Sequence, residues 1–419
     1  MRQKIHTLSC ALLLSTSTLC GQTFVPNYDE SKVPDYSLPD PLIFENGHTV
    51  NDIDDWNKRR TEIYQFFEQQ VYGVSPQWQG TMTAEVVYEN PDALEGLALL
   101  REIKLTLNNQ GRELDIFVLL HLPKTNKKTP VFLGYNFFGN QTTSSDRGVL
   151  VTKSWVRRNK KLGITRNKAR EASRGVRINR WPAQEIVSRG YGLATVYYGD
   201  VDPDFDDGFQ NGVHQLVGGS HDSSSWGSIA AWAWGLSRVM DFLENYEPVD
   251  SDKVAVLGHS RLGKAALWAG VSDERFAMVI SNNSGCGGAA LSKRQYGETV
   301  GRINSRFSHW FAGNFKRYNQ NEHMLPFDQH QLLALVAPRP LYVASAEDDQ
   351  WADPKGEFLA SKEASVVYEL FGITGLPITE MPAVNQPVHG FIGYHIRNGG
   401  HDITFYDWLQ YLDFADKHF

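Results

Sequence analysis

One serine in this 419-residue chain stands where a nucleophile could be exposed. Residues 254–257 form a short apolar run that predicts a buried strand, Ser260 follows at a small-polar turn, and an alanine-rich helix begins directly afterwards. A serine hydroxyl becomes a useful nucleophile when a sharp turn exposes it to a base beside a helix N-terminus. Gly258 and Gly263 would let the two backbones approach closely. The alternative is an ordinary strand-to-helix turn that contains a serine.

A base for Ser260 is expected near the end of the chain. His401 directly follows a predicted strand over 391–396 and precedes an amphipathic helix over 404–416, so it lies in a loop at a strand end. Among the thirteen histidines, five that we considered lack this position. His309, His323 and His330 have no predicted strand immediately before them, and His389 and His395 lie before or within a predicted strand.

An acid that orients the histidine is expected after the penultimate strand. The apolar run 340–344 predicts this strand, and it leads into a loop that contains Glu347, Asp348, Asp349 and Asp353. Asp353 precedes a proline and a predicted helix that ends near residue 370, which is typical of a helix N-cap. Periodicity does not choose among the other three acids.

The order serine, acid, histidine, each after a strand, is that of the α/β-hydrolase fold. Strand patterns over 81–88, 98–107 and 113–122 predict antiparallel strands at the start of the sheet. From residue 130 onward strands and helices alternate, which predicts a mostly parallel central sheet with helices on both faces. In this fold the loop after the strand 130–136, residues 137–141, supplies a backbone N–H to the oxyanion hole. One departure is that the second glycine stands at 263 rather than 262.

We expect a single domain over residues 23–419 with two additions. Residues 23–75 form an N-terminal arm, extended to about residue 50 and then helical from an Asn51-Asp52 cap. Residues 150–180 form a basic insertion with eleven lysines and arginines, which is either a solvated face or a surface that attracts an acidic polymer. The acidic stretch 199–208 predicts a loop, and it lacks the glycine and glutamate of an EF-hand.

The beginning of the chain and its charge limit where the protein works. Residues 1–22 have a basic start, a short apolar run and small residues, which predicts a signal peptide and a protein exported to the periplasm or the medium. Acylation of Cys20 is the alternative, and no membrane association is otherwise expected. A net charge of -7 argues against nucleic acid as a partner. With two of three cysteines in or near this segment, Cys286 is expected to be buried and unpaired.

The segment 258–264, Gly-His-Ser-Arg-Leu-Gly-Lys, resembles the G-C-S-R-x-G-K signature of the glucuronoyl esterases, carbohydrate esterase family 15, in its histidine-bearing bacterial form. The likeness extends to five further stretches: 134–142, 198–214, 296–302, 349–358 and 399–402. The resemblance implies a serine esterase. It also implies a role for each matching residue: Ser260 as nucleophile, His401 as general base, Arg261 as oxyanion donor, Lys264 and Glu298 as contacts to sugar hydroxyls, and Trp351 beside the sugar ring.

The position of the acid departs from the fungal pattern. Fungal members carry a catalytic glutamate in a Glu-Ser-Gly context shortly after the elbow helix, where this chain has Asn283-Ser284-Gly285. Many bacterial members use an acid in an Asp-x-Trp context, which residues 349–351 match. The resemblance therefore implies Asp349, with Glu347 and Asp348 as alternatives. Replacement of the fungal cysteine by His259 also removes a disulfide.

The combined expectation is an exported, monomeric esterase that hydrolyses 4-O-methyl-glucuronoyl esters, such as those between glucuronoxylan and lignin alcohols, through an acyl-enzyme. The expected partner is a polysaccharide that carries glucuronic acid, or a lignin–carbohydrate ester. The resemblance implies no metal and no organic cofactor. Two alternatives stay open: an acetyl xylan esterase or other carbohydrate esterase, and a non-catalytic uronate-binding protein.

Overall fold

The computed structural model of the protein describes residues 24–219 and 221–419, and the predicted signal peptide lies outside them. A ten-stranded sheet with the order β1-β2-β3-β5-β4-β6-β7-β8-β10-β9 runs through the described chain. Its strands are β1 (Thr81–Ala93), β2 (Ala98–Asn109), β3 (Arg112–Pro123), β4 (Thr129–Asn136), β5 (Gly192–Tyr197), β6 (Val249–His259), β7 (Met278–Asn282), β8 (Leu341–Ala346), β9 (Val388–His389) and β10 (Ile392–Arg397).

The strand directions agree with the sequence pattern. β1, β2 and β3 pair antiparallel, and β3 joins the rest of the sheet by an antiparallel pairing with β5. From β5 through β4, β6, β7 and β8 to β10 every pairing is parallel, and β9 closes this edge antiparallel. The predicted mostly parallel α/β-hydrolase sheet is therefore confirmed.

Ten α-helices connect the strands of the described chain. They are α1 (Ile53–Phe67), α2 (Ala183–Ser188), α3 (Tyr198–Val201), α4 (Gly212–Val217), α5 (Ser228–Glu244), α6 (Arg261–Ser272), α7 (Val300–Arg306), α8 (Gln329–Ala334), α9 (Pro354–Leu370) and α10 (Phe405–His418). A π-helical turn over Glu68–Tyr72 extends α1. No helix among residues 24–219 and 221–419 has the length and apolar character needed to cross a bilayer.

The central strands bury side chains on both faces. In β6, Val254 and Val256 belong to one hydrophobic cluster, and Ala255 and Leu257 belong to another. The first cluster contains residues of α1, α5, α6, α8 and α9, whereas the second contains residues of α2 and α10. Because successive strand residues point to opposite faces, helices cover both sides of the sheet. The continuous apolar run before the serine reflects this double burial.

The N-terminal segment runs against the body of the protein before α1 begins. Glu30 forms ion pairs with Arg294, at 2.6 Å, and with Lys355, at 2.8 Å. The ring of Phe24 lies edge-on to Trp351, with 6.0 Å between the ring centroids. The start of the described chain thus contacts the side of the fold that carries the 349–358 stretch.

The basic stretch 150–180 is irregular, with three short 3₁₀ turns. Its lysines and arginines from 153 to 170 are exposed, as a solvated face requires. Arg174 and Arg180 are half-buried and paired instead. Arg174 donates to the carbonyl oxygens of Asp146 and Val149, and Arg180 pairs with Asp402 at 2.6 Å.

The acidic stretch 199–208 differs from the prediction of a loop. Its beginning is the helical turn α3, and three of its carboxylates, Asp200, Asp202 and Asp204, are buried. An alternating acidic pattern is normally a sign of exposure. Donors from distant parts of the chain reach two of these carboxylates, as Ser154 does for Asp200, at 2.6 Å, and Trp310 does for Asp204, at 2.8 Å.

Asp407 in α10 connects the last helix to the last parallel strand. Its side chain is fully buried, completes a capping box with Thr404, and accepts hydrogen bonds from Arg397 at 2.9 Å and His395 at 2.9 Å. Removal of one member of a buried ion pair leaves the other charge uncompensated.

We expect Asp407→Asn to lower the free energy of unfolding by about 3 to 5 kcal/mol, because it leaves the buried Arg397 without its counter-ion. The matched control is Asp413→Asn in the same helix, since Asp413 is half-exposed in its pair with Arg189. The control should cost less than about 1 kcal/mol. Denaturant unfolding of both variants measures the difference, and equal losses would contradict this account.

Candidate active site

Ser260 occupies a strained turn between β6 and α6. Its backbone has φ 60° and ψ -130°, the left-handed half of conformational space that residues with a Cβ seldom adopt. The Ser260 N–H donates to the Asn282 carbonyl at 2.9 Å, and the N–H of Gly263 donates to the Ser260 carbonyl at 2.9 Å. The turn is therefore held from both sides and presents the hydroxyl at the helix N-terminus.

Two glycines make this turn possible. A Cβ on Gly258 would lie 1.9 Å from the Leu262 carbonyl oxygen, which is far inside contact distance. A Cβ on Gly263 would lie 3.0 Å from the Ser284 Cβ and 3.1 Å from the Gly258 oxygen. Glycine is favoured at 263 because the helix passes close to the end of β7 at this point, which accounts for the shifted second glycine.

The structure places Ser260, His401 and Asp349 in a hydrogen-bonded chain. His401 Nε2 lies 2.8 Å from Ser260 Oγ, and His401 Nδ1 lies 2.6 Å from Asp349 Oδ2. The Asp349 side chain is 4% exposed, whereas that of His401 is 42% exposed. The carboxylate is thus shielded from water and the imidazole faces the pocket, as a general base with an orienting acid requires.

The two alternative acids, Glu347 and Asp348, are exposed on the same loop. Asp349 instead turns inward, where Asn283 Nδ2 donates to its Oδ2 at 2.8 Å. Sequence reasoning treated Asn283 only as a residue that cannot be the anion. Asn283 lies at the end of β7, at the position of the fungal glutamate, and from there it binds the Asp349 carboxylate that takes the place of that glutamate.

The loop that carries His401 depends on Arg397. The Arg397 guanidinium donates to the carbonyl oxygens of Asn398 at 2.9 Å, Gly400 at 3.0 Å and Asp402 at 2.6 Å. Arg397 is itself fixed by Asp407. Sequence reasoning missed this residue, because an arginine at a strand end gives no sign of the loop carbonyls that it will bind.

A second imidazole lies below His401. The His259 ring is 4.5 Å from the His401 ring, and His259 Nδ1 is 2.6 Å from Asn282 Oδ1. Burial, together with the nearby His401, lowers the pKa of His259 well below its usual value. His259 is therefore neutral and adds no positive charge below the base.

Arg261, the predicted oxyanion donor, is held in an aromatic and acidic setting. Its guanidinium carbon lies 4.7 Å from the Trp310 ring and 5.4 Å from the Phe307 ring, and its Nη1 pairs with Asp204. None of these three partners was predicted. The only sequence signal was the likeness of the 198–214 stretch to the family, which includes Asp204.

The loop after β4, which was predicted to supply a backbone N–H to the oxyanion hole, contacts the residues on both sides of Ser260 in the chain. The Phe137 ring is 5.8 Å from the Arg261 guanidinium carbon and 6.1 Å from the His259 ring. The N–H groups of Phe138 and Gly139 donate to Asn136 Oδ1 at 3.3 and 2.8 Å. These two amides are thus engaged inside the loop.

The two residues predicted to contact sugar hydroxyls, Lys264 and Glu298, lie near each other in the same pocket. Lys264 is buried and donates to the Ser284 carbonyl, and burial lowers its pKa. Burial raises the pKa of Glu298, while the charges of Lys264 and Arg261 act in the opposite direction. Buried polar groups without full partners bind ligand hydroxyls well.

A pocket of about 430 Å³ opens at this place. Its lining includes all seven predicted residues, which are Ser260, Arg261, Lys264, Glu298, Asp349, Trp351 and His401. Seven residues that were not predicted complete the lining: Asn283, Ser284, Gly285, Arg306, Phe307, Trp310 and Ala352. Within the described ranges, no group of three or more histidine, cysteine, aspartate or glutamate side chains is arranged to hold a metal ion. Cys286 is a buried free thiol near this pocket wall.

Comparison with known proteins identifies the same family as the sequence resemblance. A family model described as glucuronyl esterase of fungi matches residues 206–372. Carbohydrate esterase MZ0003, from an unknown prokaryotic organism, is 48% identical over 94% of this chain and 92% of its own length. A 4-O-methyl-glucuronoyl methylesterase of Schizophyllum commune is 27% identical over 80% of this chain and 74% of its own. The solved glucuronoyl esterase of Solibacter usitatus is 46% identical, with a TM-score of 0.87 over 93% of this chain and all of the other.

The fold and the pocket define a carbohydrate esterase with an α/β-hydrolase sheet. The chain belongs to the glucuronoyl esterases, carbohydrate esterase family 15. The family resemblance and the esterase prediction are therefore confirmed.

We expect Gly258→Ala to lower kcat for ester hydrolysis by about a hundredfold, because the added methyl displaces the Ser260 turn by about an ångström. The control is Gly301→Ala in α7, where the nearest atom to an added Cβ is 3.4 Å away. Steady-state kinetics and thermal unfolding of both variants check this. Wild-type kcat in Gly258→Ala would contradict the steric argument.

Proposed function

We propose that the protein hydrolyses 4-O-methyl-glucuronoyl esters, such as those that join glucuronoxylan side groups to lignin alcohols. The observation that carries the proposal is the chain from Asp349 through His401 to Ser260, which ends in a pocket that Lys264 and Glu298 also line. Relatives named 4-O-methyl-glucuronoyl methylesterase, together with family membership, support this substrate class.

In the proposed reaction Ser260 Oγ attacks the ester carbonyl carbon while His401 Nε2 accepts the hydroxyl proton. The 2.8 Å separation of these atoms is suitable for direct proton transfer. Collapse of the tetrahedral intermediate breaks the bond to the alcohol oxygen, and His401 returns the proton to it. A water molecule, deprotonated by His401, then attacks the acyl carbon. The bond to Ser260 Oγ breaks, His401 returns the proton to Oγ, and the uronic acid is released.

Asp349 would keep His401 in the tautomer with Nδ1 protonated and stabilise the imidazolium that forms. Arg261 would place positive charge beside the carbonyl oxygen as that oxygen becomes negative. Both roles require that the groups be fixed before substrate binds. The bond from Asn283 to Asp349 supports the first, and the contacts of Arg261 with Asp204 and Trp310 support the second.

Lys264 and Glu298 would select the sugar. One donor and one acceptor on the same wall suit a pair of ring hydroxyl groups, and Trp351 offers an apolar surface to the ring. An acetyl group occupies far less of a 430 Å³ pocket than a uronate ring does. The pocket thus favours uronate esters over acetyl esters.

We also propose that the protein is exported as a monomer and works as one domain, with the arm over 23–75 and the basic insertion over 150–180. The proposal rests on the signal-peptide pattern of residues 1–22 and on the continuous sheet of the described chain. The exposed cations between 153 and 170 would attract polysaccharides that carry uronic acids.

Hydrolysis of benzyl glucuronate tests the function. We expect activity in the wild type, loss of essentially all of it in Ser260→Ala, and a fall in kcat of about ten-thousandfold in Asp349→Asn, because the wrong histidine tautomer is then favoured. The matched control is Asp348→Asn, the exposed neighbour on the same loop, which should retain wild-type kcat.

Two other outcomes would redirect the assignment. Full activity of Asp349→Asn would show that Asp349 does not orient His401. A wild-type preference for an acetylated xylan over benzyl glucuronate would replace the proposed substrate by an acetyl ester.

A further inference from the structure

We propose that Asp204 is a positioning residue for Arg261 and that it acts in transition-state stabilisation without touching the substrate. The inference rests on the proposed role of Arg261 in the esterase reaction. Asp204 follows α3, on the loop between β5 and α4, and its side chain has no exposed surface. Arg261 is 57 residues further along the chain.

The Asp204 carboxylate accepts hydrogen bonds at both of its oxygens. Oδ1 accepts from Trp310 Nε1 at 2.8 Å and from His309 Nε2 at 3.0 Å. Oδ2 accepts from the Tyr198 hydroxyl at 3.0 Å and pairs with the Nη1 of Arg261. The donors of these bonds come from three separate segments of the chain. If one donor moves, the other two still hold the carboxylate in place.

Its charge is fixed as well. Burial opposes ionisation, but the hydrogen bonds from His309 and Trp310 and the charge of Arg261 outweigh it and hold the pKa of Asp204 well below its usual value. Asp204 is therefore ionised at neutral pH. A second cation, Arg157, lies 3.3 Å from Oδ2. The group of two arginines and one carboxylate retains a net positive charge beside the pocket.

The other side of the Arg261 guanidinium is limited by aromatic rings. Trp310 contacts both members of the ion pair: its indole N–H donates to Asp204, and its ring lies under the Arg261 guanidinium at 4.7 Å. The backbone of the same segment is tied to the start of α5, where the Ser228 and Ile229 N–H groups donate to the carbonyls of His309 and Trp310 at 2.8 and 3.1 Å.

A free arginine side chain would lose rotamer entropy and reorganise each time a negative oxygen forms. Asp204 removes that cost because it holds the guanidinium through Nη1 while Arg261 forms part of the pocket lining. A purely structural Asp204 would also be buried and paired. The two roles differ in whether the effect of Asp204 on catalysis passes through Arg261.

A double-mutant cycle with Asp204→Asn and Arg261→Gln separates them, with benzyl glucuronate as substrate and steady-state kcat and KM measured for all four proteins. Asp204→Asn keeps the shape and removes the charge. We expect it to lower kcat between about tenfold and a hundredfold, less than the loss of the donor itself, with KM changed by less than about threefold. In the Arg261→Gln background the same change should lower kcat by less than about twofold.

The matched control is Asp206→Asn, on the same loop, whose exposed carboxylate binds Ser308 rather than Arg261. It should retain wild-type kcat. Because Asp204→Asn removes several buried bonds, Tyr198→Phe provides a milder second variant that deletes one hydroxyl donor to Oδ2. Its smaller loss in kcat should also vanish when Arg261 is replaced by glutamine.

Losses that multiply, so that Asp204→Asn and Tyr198→Phe lower kcat as much without Arg261 as with it, would overturn the proposal. Failure of the proposed function has a different signature. No turnover of benzyl glucuronate by the wild type removes the substrate assignment, and the cycle is then measured with an acetylated sugar ester. Wild-type kcat in Arg261→Gln would remove the role of Arg261 and with it that of Asp204.

Discussion

The left-handed backbone at Ser260 is the constraint on which the rest of the site depends. It requires a glycine two residues before the serine, because the Leu262 carbonyl occupies the space of a Cβ, and close passage of α6 over the end of β7. The end of β7 in turn supplies the Asn282 carbonyl that holds the Ser260 amide. The strain of this conformation is tolerated because two buried strands and a buried helix fix both sides of it.

Around this turn the protein holds its polar groups in pairs rather than singly. His401 has Asp349, Arg261 has Asp204, and the loop of His401 is held by Arg397, which has Asp407. In each pair one member faces the pocket or its loop and the other is buried, with further hydrogen bonds of its own. A buried ion fully bonded in this way costs less to desolvate and has little freedom to move. Hydrogen bonds to the backbone or to neighbouring side chains thus fix each of these groups.

Local sequence patterns were sufficient for the sheet, for the order serine, acid, histidine and for the N-cap at Asp353. Each depends on residues close together in the chain, where periodicity and turn chemistry apply. The choice of Asp349 needed a family resemblance, because its exposed neighbours on the loop have the same chemistry. The burial of Asp204 was not predictable, since its partners at 261, 309 and 310 lie more than fifty residues away. The same reason applies to the bond between Asn283 and Asp349, which spans 66 residues.

The contact of Phe24 with Trp351 affects where a tag or a fused domain can be attached to this enzyme. The first described residues contact Trp351, beside which a sugar ring is proposed to lie, and Glu30 ties them to Arg294 and Lys355. An affinity tag or a fused domain joined just ahead of Phe24 would therefore share space with a polymeric substrate. The end of α10, at the opposite terminus, is attached to the face of the sheet that α2 covers. A fusion at the end of α10 would leave the surroundings of Trp351 unchanged.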